Sequence, residues 1–330
     1  MSHLLEVRDL SIGIKKDEKI FKAVNHINFL VNEGEILGIA GESGCGKSLT
    51  ALSILNLLPE AAKIVHGEII FDNRSLNNRS LTSINKNETH RISGREISMI
   101  FQEVRQSLNP LLKAGSQITE TLEIAGGKDR VKNKAVVLEM LESLGLDEPE
   151  KIFNAYPHQL SGGMCQRVMA AIAAIDRPRL LLADEPSSAL DEDSQNRILS
   201  LLAKMNSNYK TTVIIISHDL SIIQKFCSRF IVMYAGRIVE EGPSQSFFSP
   251  LHPYTKALVM AIPGKNKRGQ KLANIHGKVP SIEDNLIGCP FAPRCKKTKS
   301  VCLETFPPEK EIGEKHKVHC YFPETGGASG

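Results

Sequence analysis

The sequence has no apolar run that approaches about 18 residues, the length that a membrane-spanning helix needs. Its amino terminus, residues 3–8, has no apolar core of the kind found in secretory signals. The net charge of +4 is too small to indicate binding to nucleic acid, although it suits the inner face of an anionic membrane. We therefore expect a protein that is neither exported nor inserted into a membrane by itself.

The composition is ordinary for a globular protein, with 41% hydrophobic and 24% charged residues. A chain of 330 residues can bury a large core and is expected to form more than one domain. Its seven cysteines are unevenly spread, because four of them lie near the carboxyl end. In a reducing cytosol such a cluster favours metal binding over disulfides.

The clearest motif is the glycine-rich loop at residues 41–48, which reads GESGCGKS. It fits a phosphate loop, in which backbone N–H groups surround a β-phosphate, a lysine reaches the β- and γ-phosphates and a hydroxyl binds Mg²⁺. An apolar run at 36–40 precedes it, and residues 48–58 have the apolar spacing of a helix whose amino terminus would face the anion. The predicted contacts are Gly41, Ser43, Gly44, Cys45, Gly46, Lys47, Ser48 and Leu49.

Short apolar runs along the chain predict an α/β fold. The first runs alternate with turns, which is typical of an antiparallel β layer. The later runs are separated by helical stretches, which indicates a parallel sheet with crossover helices. These strand candidates are residues 4–10, 23–31, 36–40, 67–71, 96–101, 180–183, 213–216 and 230–233.

Residues 104–176 contain no clear strand pattern and are predicted to form a helical insertion in the sheet. Within them, residues 128–144 have the spacing of an amphipathic helix that ends at Gly145. Its apolar face would consist of Val131, Ala135, Leu138 and Leu141.

A second motif, LLLADEP at residues 180–186, ends an apolar strand with two adjacent carboxylates. The carboxyl ends of parallel strands are where open α/β sheets bind ligands. Downstream of a phosphate loop, Asp184 is expected to hold Mg²⁺ and Glu185 to polarise the water that attacks the γ-phosphate.

A third motif is LSGGM at residues 160–164. Ser161 is a natural N-cap for the helix that follows. Gly162 and Gly163 leave the first N–H groups of that helix open to an anion.

The order of these motifs resembles that of the ATPase subunits of ABC transporters. The resemblance spans residues 4–240 and includes Gln102 after a strand, the segment 188–191 and His218 after a strand. It implies a P-loop core, made of a parallel sheet with an antiparallel β layer, an inserted helical subdomain and a small Cys-rich carboxy-terminal segment. The implied domains are residues 1–103 with 177–245, residues 104–176 and residues 246–325, followed by a linker or tag remnant at 326–330.

The resemblance also implies an ATP site shared by two subunits. One subunit holds ATP on its phosphate loop while Ser161, Gly162 and Gly163 of the other cover the γ-phosphate, and Asp191 couples the two sites. Residues 102–112 would dock against a membrane subunit. The implied catalytic residues are Glu185, His218 and Gln102, and the implied Mg²⁺ ligands are Ser48, Gln102 and Asp184.

The chain departs from the family pattern at two positions. The family usually stacks adenine on an aromatic side chain where this chain has Ile14, and Phe21 is the only aromatic residue nearby. Stacking on an aromatic ring is favourable by about 1–3 kcal/mol per base in nucleic-acid binders. Either Phe21 takes this role or adenine rests on aliphatic surface. The other departure is Met164-Cys165, where the family pattern has glutamine and often arginine. Methionine at this position is familiar in the peptide importers.

The carboxy-terminal sequence indicates which branch of the ABC transporter family this chain resembles. Residues 252–258, 279–281 and 288–295 resemble the extension of oligopeptide and dipeptide importer ATPases, most closely the D-type subunit. The implied partners are a second, F-type ATPase, two transmembrane permeases and an extracytoplasmic substrate-binding protein. No nucleic-acid partner is implied. The implied location is the cytoplasmic face of the membrane, where the subunit would be peripheral. Nickel and metal-chelate importers stay an alternative. A soluble ABC-type ATPase acting on nucleic acid or the ribosome is the alternative from another class, although the chain has no long coiled coil or second ATPase unit.

The clustered cysteines are Cys289, Cys295, Cys302 and Cys320. Four thiolates can hold zinc or a [4Fe–4S] cluster. Their gaps are wider than in the short knuckles of structural zinc sites, and members of the resembled subfamily with this motif carry iron and sulfur. A [4Fe–4S] cluster is therefore expected beside ATP and Mg²⁺, with zinc or plain reduced cysteines as alternatives.

Overall fold

The computed structural model describes residues 3–72, 80–84, 88–89, 92–187, 190–261, 275–284 and 286–324. Within those ranges, no helix combines the length and the apolar character that crossing a bilayer requires. The chain divides into two compact units. The first comprises Met1–Ser2, Asn32–Ile36 and Ile84–Ile216, and the second comprises His3–Val31, Leu37–Ser83 and Ser217–Gly330.

The strands and helices are numbered in chain order. The strands are β1 (His3–Lys16), β2 (Lys19–Asn32), β3 (Ile36–Ala40), β4 (Ala62–Phe71), β5 (Ile97–Ile100), β6 (Leu180–Asp184), β7 (Thr212–Ile216), β8 (Arg229–Tyr234), β9 (Arg237–Pro243), β10 (Lys310–Glu311) and β11 (Lys317–Val318). The α-helices are α1 (Lys47–Ile54), α2 (Val104–Ser107), α3 (Ala114–Ile124), α4 (Arg130–Ser143), α5 (Pro149–Asn154), α6 (Gly162–Ala174), α7 (Glu192–Tyr209), α8 (Leu220–Phe226), α9 (Pro253–Ala261) and α10 (Ser300–Glu304).

The second unit contains the predicted antiparallel layer, a three-stranded sheet in the order β2-β1-β4. β1 and β4 are antiparallel, with Leu5 opposite Phe71 and Ile12 opposite Ile64. Leu5, Phe71 and Ile12 are fully buried. The strands are longer than the apolar runs that predict them, because polar residues alternate with apolar ones towards their ends.

The same unit contains the strands beside the phosphate loop. β3 and β8 are parallel, and β8 is antiparallel to β9, as the chain turns back on itself. The sequence does not predict β9, because Arg237, Glu240 and Glu241 interrupt its apolar residues. Glu240 is nevertheless fully buried, where its carboxylate accepts hydrogen bonds from other residues of the unit.

The first unit contains three parallel strands in the order β5-β6-β7. All residues of these strands are buried. Burial on both faces explains why their sequences are continuous apolar runs and not alternating patterns. The predicted strands at 96–101, 180–183 and 213–216 are thereby confirmed.

Helix α4 is present as predicted, but its buried face agrees only in part with the predicted one. Asn133, Val137 and Leu141 are buried, whereas Val131 is 81% exposed. Of the predicted face, Leu141 is buried but Val131 and Ala135 are exposed, because the polar Asn133 lies on the inner side. Asn133 is satisfied there by donating a hydrogen bond of 3.0 Å from its side-chain amide to the carbonyl of Gly127.

Candidate functional site

The phosphate loop joins the end of β3 at Ala40 to the start of α1 at Lys47. Its glycines Gly41, Gly44 and Gly46 have φ angles of 152°, 78° and 102°, which side chains of L-residues rarely allow. A side chain at Gly41 would also collide with the backbone of β8. These glycines therefore permit a tight loop whose N–H groups precede a helix start, as an anion site needs.

Lys47 is buried and its ammonium group lies inside the curve of the loop. Its Nζ donates hydrogen bonds to the carbonyl oxygens of Gly41 at 2.7 Å and Glu42 at 3.0 Å. Burial raises the pKa of the neighbouring Cys45 thiol, so this side chain stays neutral at physiological pH. Lys47 is therefore the one cation enclosed by the described part of the loop.

Glu42 of the loop is held by residues from the carboxy-terminal half of the chain. Arg294 donates from Nη1 to one carboxylate oxygen of Glu42 at 2.8 Å and from Nη2 to the other at 3.3 Å. The hydroxyl of Tyr254 accepts a hydrogen bond from the Glu42 N–H at 2.9 Å. Burial alone would lower the pKa of Arg294, but its hydrogen bonds to Glu42 and Tyr234 raise that pKa above its ordinary value.

Aromatic rings surround this ion pair. Tyr234 and Tyr254 have ring centroids 4.5 Å apart, and each lies 5.3 Å from the ring of Phe291. The hydroxyl of Tyr234 accepts a 3.0 Å hydrogen bond from Arg294. The sequence motifs that contain Tyr254, Phe291 and Arg294 indicate only a subfamily, so sequence reasoning missed their contact with the phosphate loop.

A groove of about 780 Å³ adjoins the loop. Phe21 and Gly44 both line it, together with Arg237, Ile282 and Leu286. Phe21 thus shares a groove with the phosphate loop. Ile14, the other candidate for contact with adenine, is not among the described residues that line this groove.

The predicted carboxylates stand at the carboxyl end of β6. Asp184 is 3% exposed and Glu185 is 8% exposed. Glu185 has a φ of 50°, unusual for a residue with a side chain, and its N–H donates to the carbonyl of Ile216 at 2.9 Å. The parallel pairing of β5 with β6 places Gln102, which follows β5, at the same edge of the sheet. His218 follows β7 in the chain and is exposed.

The LSGGM motif forms the start of α6. Ser161 is its N-cap, and its Oγ accepts a hydrogen bond from the N–H of Met164 at 3.2 Å. Ser161 and Gly162 are exposed, and a side chain at Gly162 would meet nothing within 4 Å. Gly163 faces Leu190. The helix start therefore presents its amino end to the outside of its unit.

Helix α6 is joined to the segment that follows the carboxylates. The side-chain amide of Gln166 donates to the carbonyl of Pro186 at 2.6 Å. Asp191 caps α7 by accepting hydrogen bonds from the N–H and the hydroxyl of Ser194, at 2.9 and 2.8 Å. The N–H bond is the main reason why the pKa of Asp191 is lowered. The neighbouring positions 188–189 lie outside the described residues.

Comparison with known proteins gives two family matches, "ABC transporter" over residues 24–188 and "Oligopeptide/dipeptide transporter, C-terminal region" over residues 239–302. A probable peptide ABC transporter ATP-binding protein of Sinorhizobium fredii is 44% identical, over 96% of this chain and 94% of its own. The dipeptide transport ATP-binding protein of Haemophilus influenzae is 39% identical, over 97% and 96%. The oligopeptide transport ATP-binding protein of Bacillus subtilis is 39% identical, over 99% of each chain.

Among solved structures, a dimeric ATP-binding cassette bound to ADP and Pi matches this chain with a TM-score of 0.66 and 30% identity. The match covers 73% of this chain and 98% of that one. The chain therefore has the fold of an ATP-binding cassette with mixed α/β sheets, while its Cys-rich carboxy-terminal segment extends beyond what this match shows.

The predicted [4Fe–4S] cluster is wrong. The four carboxy-terminal cysteines line one cavity, but its volume is about 20 Å³, which is room for about one water molecule. No three of their sulfur atoms lie within 4.8 Å of one another among the described residues. Burial raises the pKa of Cys289 to about 12, which favours the thiol. The cysteine spacing suggested a cluster because the four cysteines do share one cavity. Phe291 and Phe322 also line that cavity, which leaves little space in it. The names of the relatives mention peptide transport and ATP binding and no iron–sulfur cluster.

Proposed function

This chain belongs to the ATP-binding subunits of ABC transporters, in the oligopeptide and dipeptide branch, and from that premise we propose how it works. It is an ATPase subunit that powers the import of short peptides. The observation that carries this function is the phosphate loop with its enclosed Lys47, within a family match that extends to the carboxylates of β6. The relatives are named for peptide transport, which favours peptides over metal chelates or nucleic acid as the target.

The residues of the phosphate loop bind the nucleotide. Lys47 faces the β- and γ-phosphates, and the N–H groups at the start of α1 hold the β-phosphate. In this proposal Gly41, Ser43, Gly44, Cys45, Gly46, Ser48 and Leu49 supply the remaining contacts. Phe21 stacks on adenine, because it lines the groove that Gly44 also lines.

Ser48, Gln102 and Asp184 would hold Mg²⁺. A hydroxyl, an amide oxygen and a carboxylate are the hard oxygen ligands that this ion prefers, so the donor set fits. When bound, Mg²⁺ neutralises charge on the phosphates as the γ-phosphoryl group is transferred. Glu185 accepts a hydrogen bond from the attacking water and polarises it, and His218 orients the γ-phosphate. The burial of Glu185 restricts its side chain and supports this role.

A second subunit completes each ATP site. The exposed helix start at Ser161, Gly162 and Gly163 is open to a ligand from outside its unit, and its N–H groups suit a γ-phosphate. Asp191, in the segment that α6 contacts through Gln166, transmits the state of one site to the other. In this proposal the second subunit is the F-type ATPase of the same transporter.

The remaining partners are two permeases and an extracytoplasmic substrate-binding protein. In this proposal the chain lies on the cytoplasmic face of the membrane, and residues 102–112 dock against a permease. Leu111 is 81% exposed and Leu112 is 42% exposed, which supports a partner at this segment. The division into an ATPase core, a helical subdomain at 104–176 and a carboxy-terminal segment at 246–325 belongs to the same proposal.

Reconstitution in proteoliposomes tests this function. The chain, its F-type partner and the permeases are inserted with the binding protein and a labelled dipeptide on one side, and ATP on the side of the ATPases. We expect peptide uptake that depends on ATP and stops when Lys47→Ala replaces the wild-type chain. ATP hydrolysis with no uptake of any di- to pentapeptide, but uptake of a nickel chelate, would assign the chain to the metal branch instead.

A further inference from the structure

Three potential metal ligands from separate strands meet on the antiparallel sheet. They are Asp9 in β1, His26 in β2 and His66 in β4. One carboxylate oxygen of Asp9 lies 2.7 Å from Nδ1 of His26, and the other lies 2.9 Å from Nε2 of His66. Each residue offers a ligand atom within 4.8 Å of the other two, and no other group of three or more such residues in the described ranges does so.

The backbone at this cluster is unusual. The pairing of β1 with β4 is irregular between Arg8 and Ser11, so Asp9 lies on a bulge. Asp9 and His26 have φ angles of 47° and 53°, in the left-handed region that residues with side chains rarely adopt. Gly67, which follows His66, has a φ of 85°, and a side chain there would collide with the carbonyl of Asp9. Strained backbone of this kind is concentrated at functional sites.

Neighbouring side chains hold the strained residues in place. Asn28 accepts a hydrogen bond from the N–H of Asp9 at 2.8 Å. Ser11 accepts one from the N–H of His26 at 3.0 Å. The backbone positions of both ligands are therefore fixed before any ion binds, which reduces the cost of ordering them.

We propose that Asp9, His26 and His66 bind a divalent first-row transition ion such as Zn²⁺. Two imidazoles and a carboxylate, with water in the remaining positions, form a ligand set typical of this ion. Their side chains are 50%, 39% and 57% exposed, so a hydrated ion reaches them. On binding, each imidazole would coordinate through the unprotonated nitrogen that now faces Asp9 and would keep its one N–H on the other ring nitrogen.

Lys22 sets the strength of this site. Its Nζ lies 3.1 Å from Nε2 of His26, so its positive charge stands beside one ligand and repels a cation. Replacing Lys22 with methionine keeps much of its length and removes the charge. The Lys22→Met variant therefore binds the ion more tightly than the wild type, which a merely structural role of the cluster does not predict.

Titration with Co²⁺ tests the proposal. The full-length chain without an affinity tag is freed of metal with EDTA, and its visible absorption is followed as Co²⁺ is added. Cysteine ligation is recognised separately by its intense near-ultraviolet charge-transfer band. We expect a component from nitrogen and oxygen ligands whose affinity falls at least about tenfold in His26→Asn and in His66→Asn. The exposed His158 serves as the matched control, and His158→Asn should leave the titration unchanged.

Either of two results would overturn this assignment. One is a titration that is the same in the wild type and in the double variant of His26 and His66, with circular dichroism showing that both are folded. The other is Co²⁺ absorption that arises from thiolate ligation alone. Competition by Zn²⁺ for the histidine-dependent component would identify the ion class.

Discussion

Arg294 binds both carboxylate oxygens of Glu42, at 2.8 and 3.3 Å, and is itself only 5% exposed. Its guanidinium also donates to the backbone carbonyls of Ile275 and His276, at 3.1 and 2.9 Å. A residue next to Cys295, late in the chain, thus holds the second residue of the phosphate loop. The carboxy-terminal segment therefore restricts the loop in addition to marking the peptide branch.

The first prediction concerns this ion pair. Arg294→Met should raise the Kd for ATP about tenfold, equivalent to about 1.4 kcal/mol, because Glu42 loses its two-point contact and the loop becomes less ordered. Arg294→Lys should recover part of the loss, since a lysine offers charge without the planar fork. Fluorescent-nucleotide binding measures the effect. Arg130, which is 91% exposed, provides the control, and Arg130→Met should bind ATP normally. Equal Kd values for the wild type and Arg294→Met would show that the contact does not order the loop.

The second prediction separates binding from chemistry at β6. Glu185→Gln keeps the size of the side chain but removes its ability to polarise water, so ATP turnover should fall by roughly 10²- to 10⁴-fold. ATP binding should stay within about twofold, because the phosphate loop is untouched. Phosphate release and nucleotide binding are measured on the same preparation, in the presence of the partner ATPase. Turnover that survives the substitution would remove Glu185 from the mechanism.

The elements that carry the proposed nucleotide site were accessible from the sequence because each is a local motif. A glycine-rich loop, a strand with two carboxylates and an N-capped helix are defined by neighbouring residues, so their spacing is sufficient to predict them. The strands that carry them were predictable for a related reason, since burial on both faces requires continuous apolar sequence, as in Leu180–Asp184.

Contacts between distant parts of the chain were not accessible in this way. Arg294 and Glu42 are separated by 252 positions, and no local pattern links them. The buried face of α4 was predicted only in part for a different reason, because Asn133 is satisfied by the carbonyl of Gly127, six positions earlier, and apolar periodicity does not record such a contact. The cysteine spacing was suggestive but could not show whether the sulfur atoms approach one another.

The third prediction tests whether the start of α6 serves another subunit. Ser161→Ala removes an N-cap and should cost about 1 kcal/mol of stability. It should also reduce the ATPase rate of the two-subunit assembly, while ATP binding by the isolated chain is unchanged. Asp129 is the matched control, because it caps α4 by accepting hydrogen bonds from two N–H groups. Asp129→Ala should lose a similar stability and keep full activity. A similar loss of activity in both variants would indicate that the effect of Ser161 is one of stability alone.

The fourth prediction concerns pH and His252, which is 1% exposed beside the cysteine cavity. Burial lowers its pKa from 6.5 to about 4, and its Nδ1 accepts a hydrogen bond from the N–H of Tyr254. Between these two pKa values the unfolded chain binds a proton that the folded chain does not. The free energy of unfolding should therefore fall as the pH drops from 7.5 to 5, by about 2 kcal/mol from this residue.

Urea unfolding at the two pH values measures this fall for the wild type and for His252→Asn, in which it should largely disappear. His158→Asn, at an exposed position, should keep the wild-type pH dependence. If the His252→Asn variant does not fold, the pKa of the His252 ring is measured instead by NMR titration of the wild-type protein. Protonation of that ring near pH 6.5, in the folded protein, would contradict the prediction, because it would mean that the ring is hydrated and that burial does not keep it neutral.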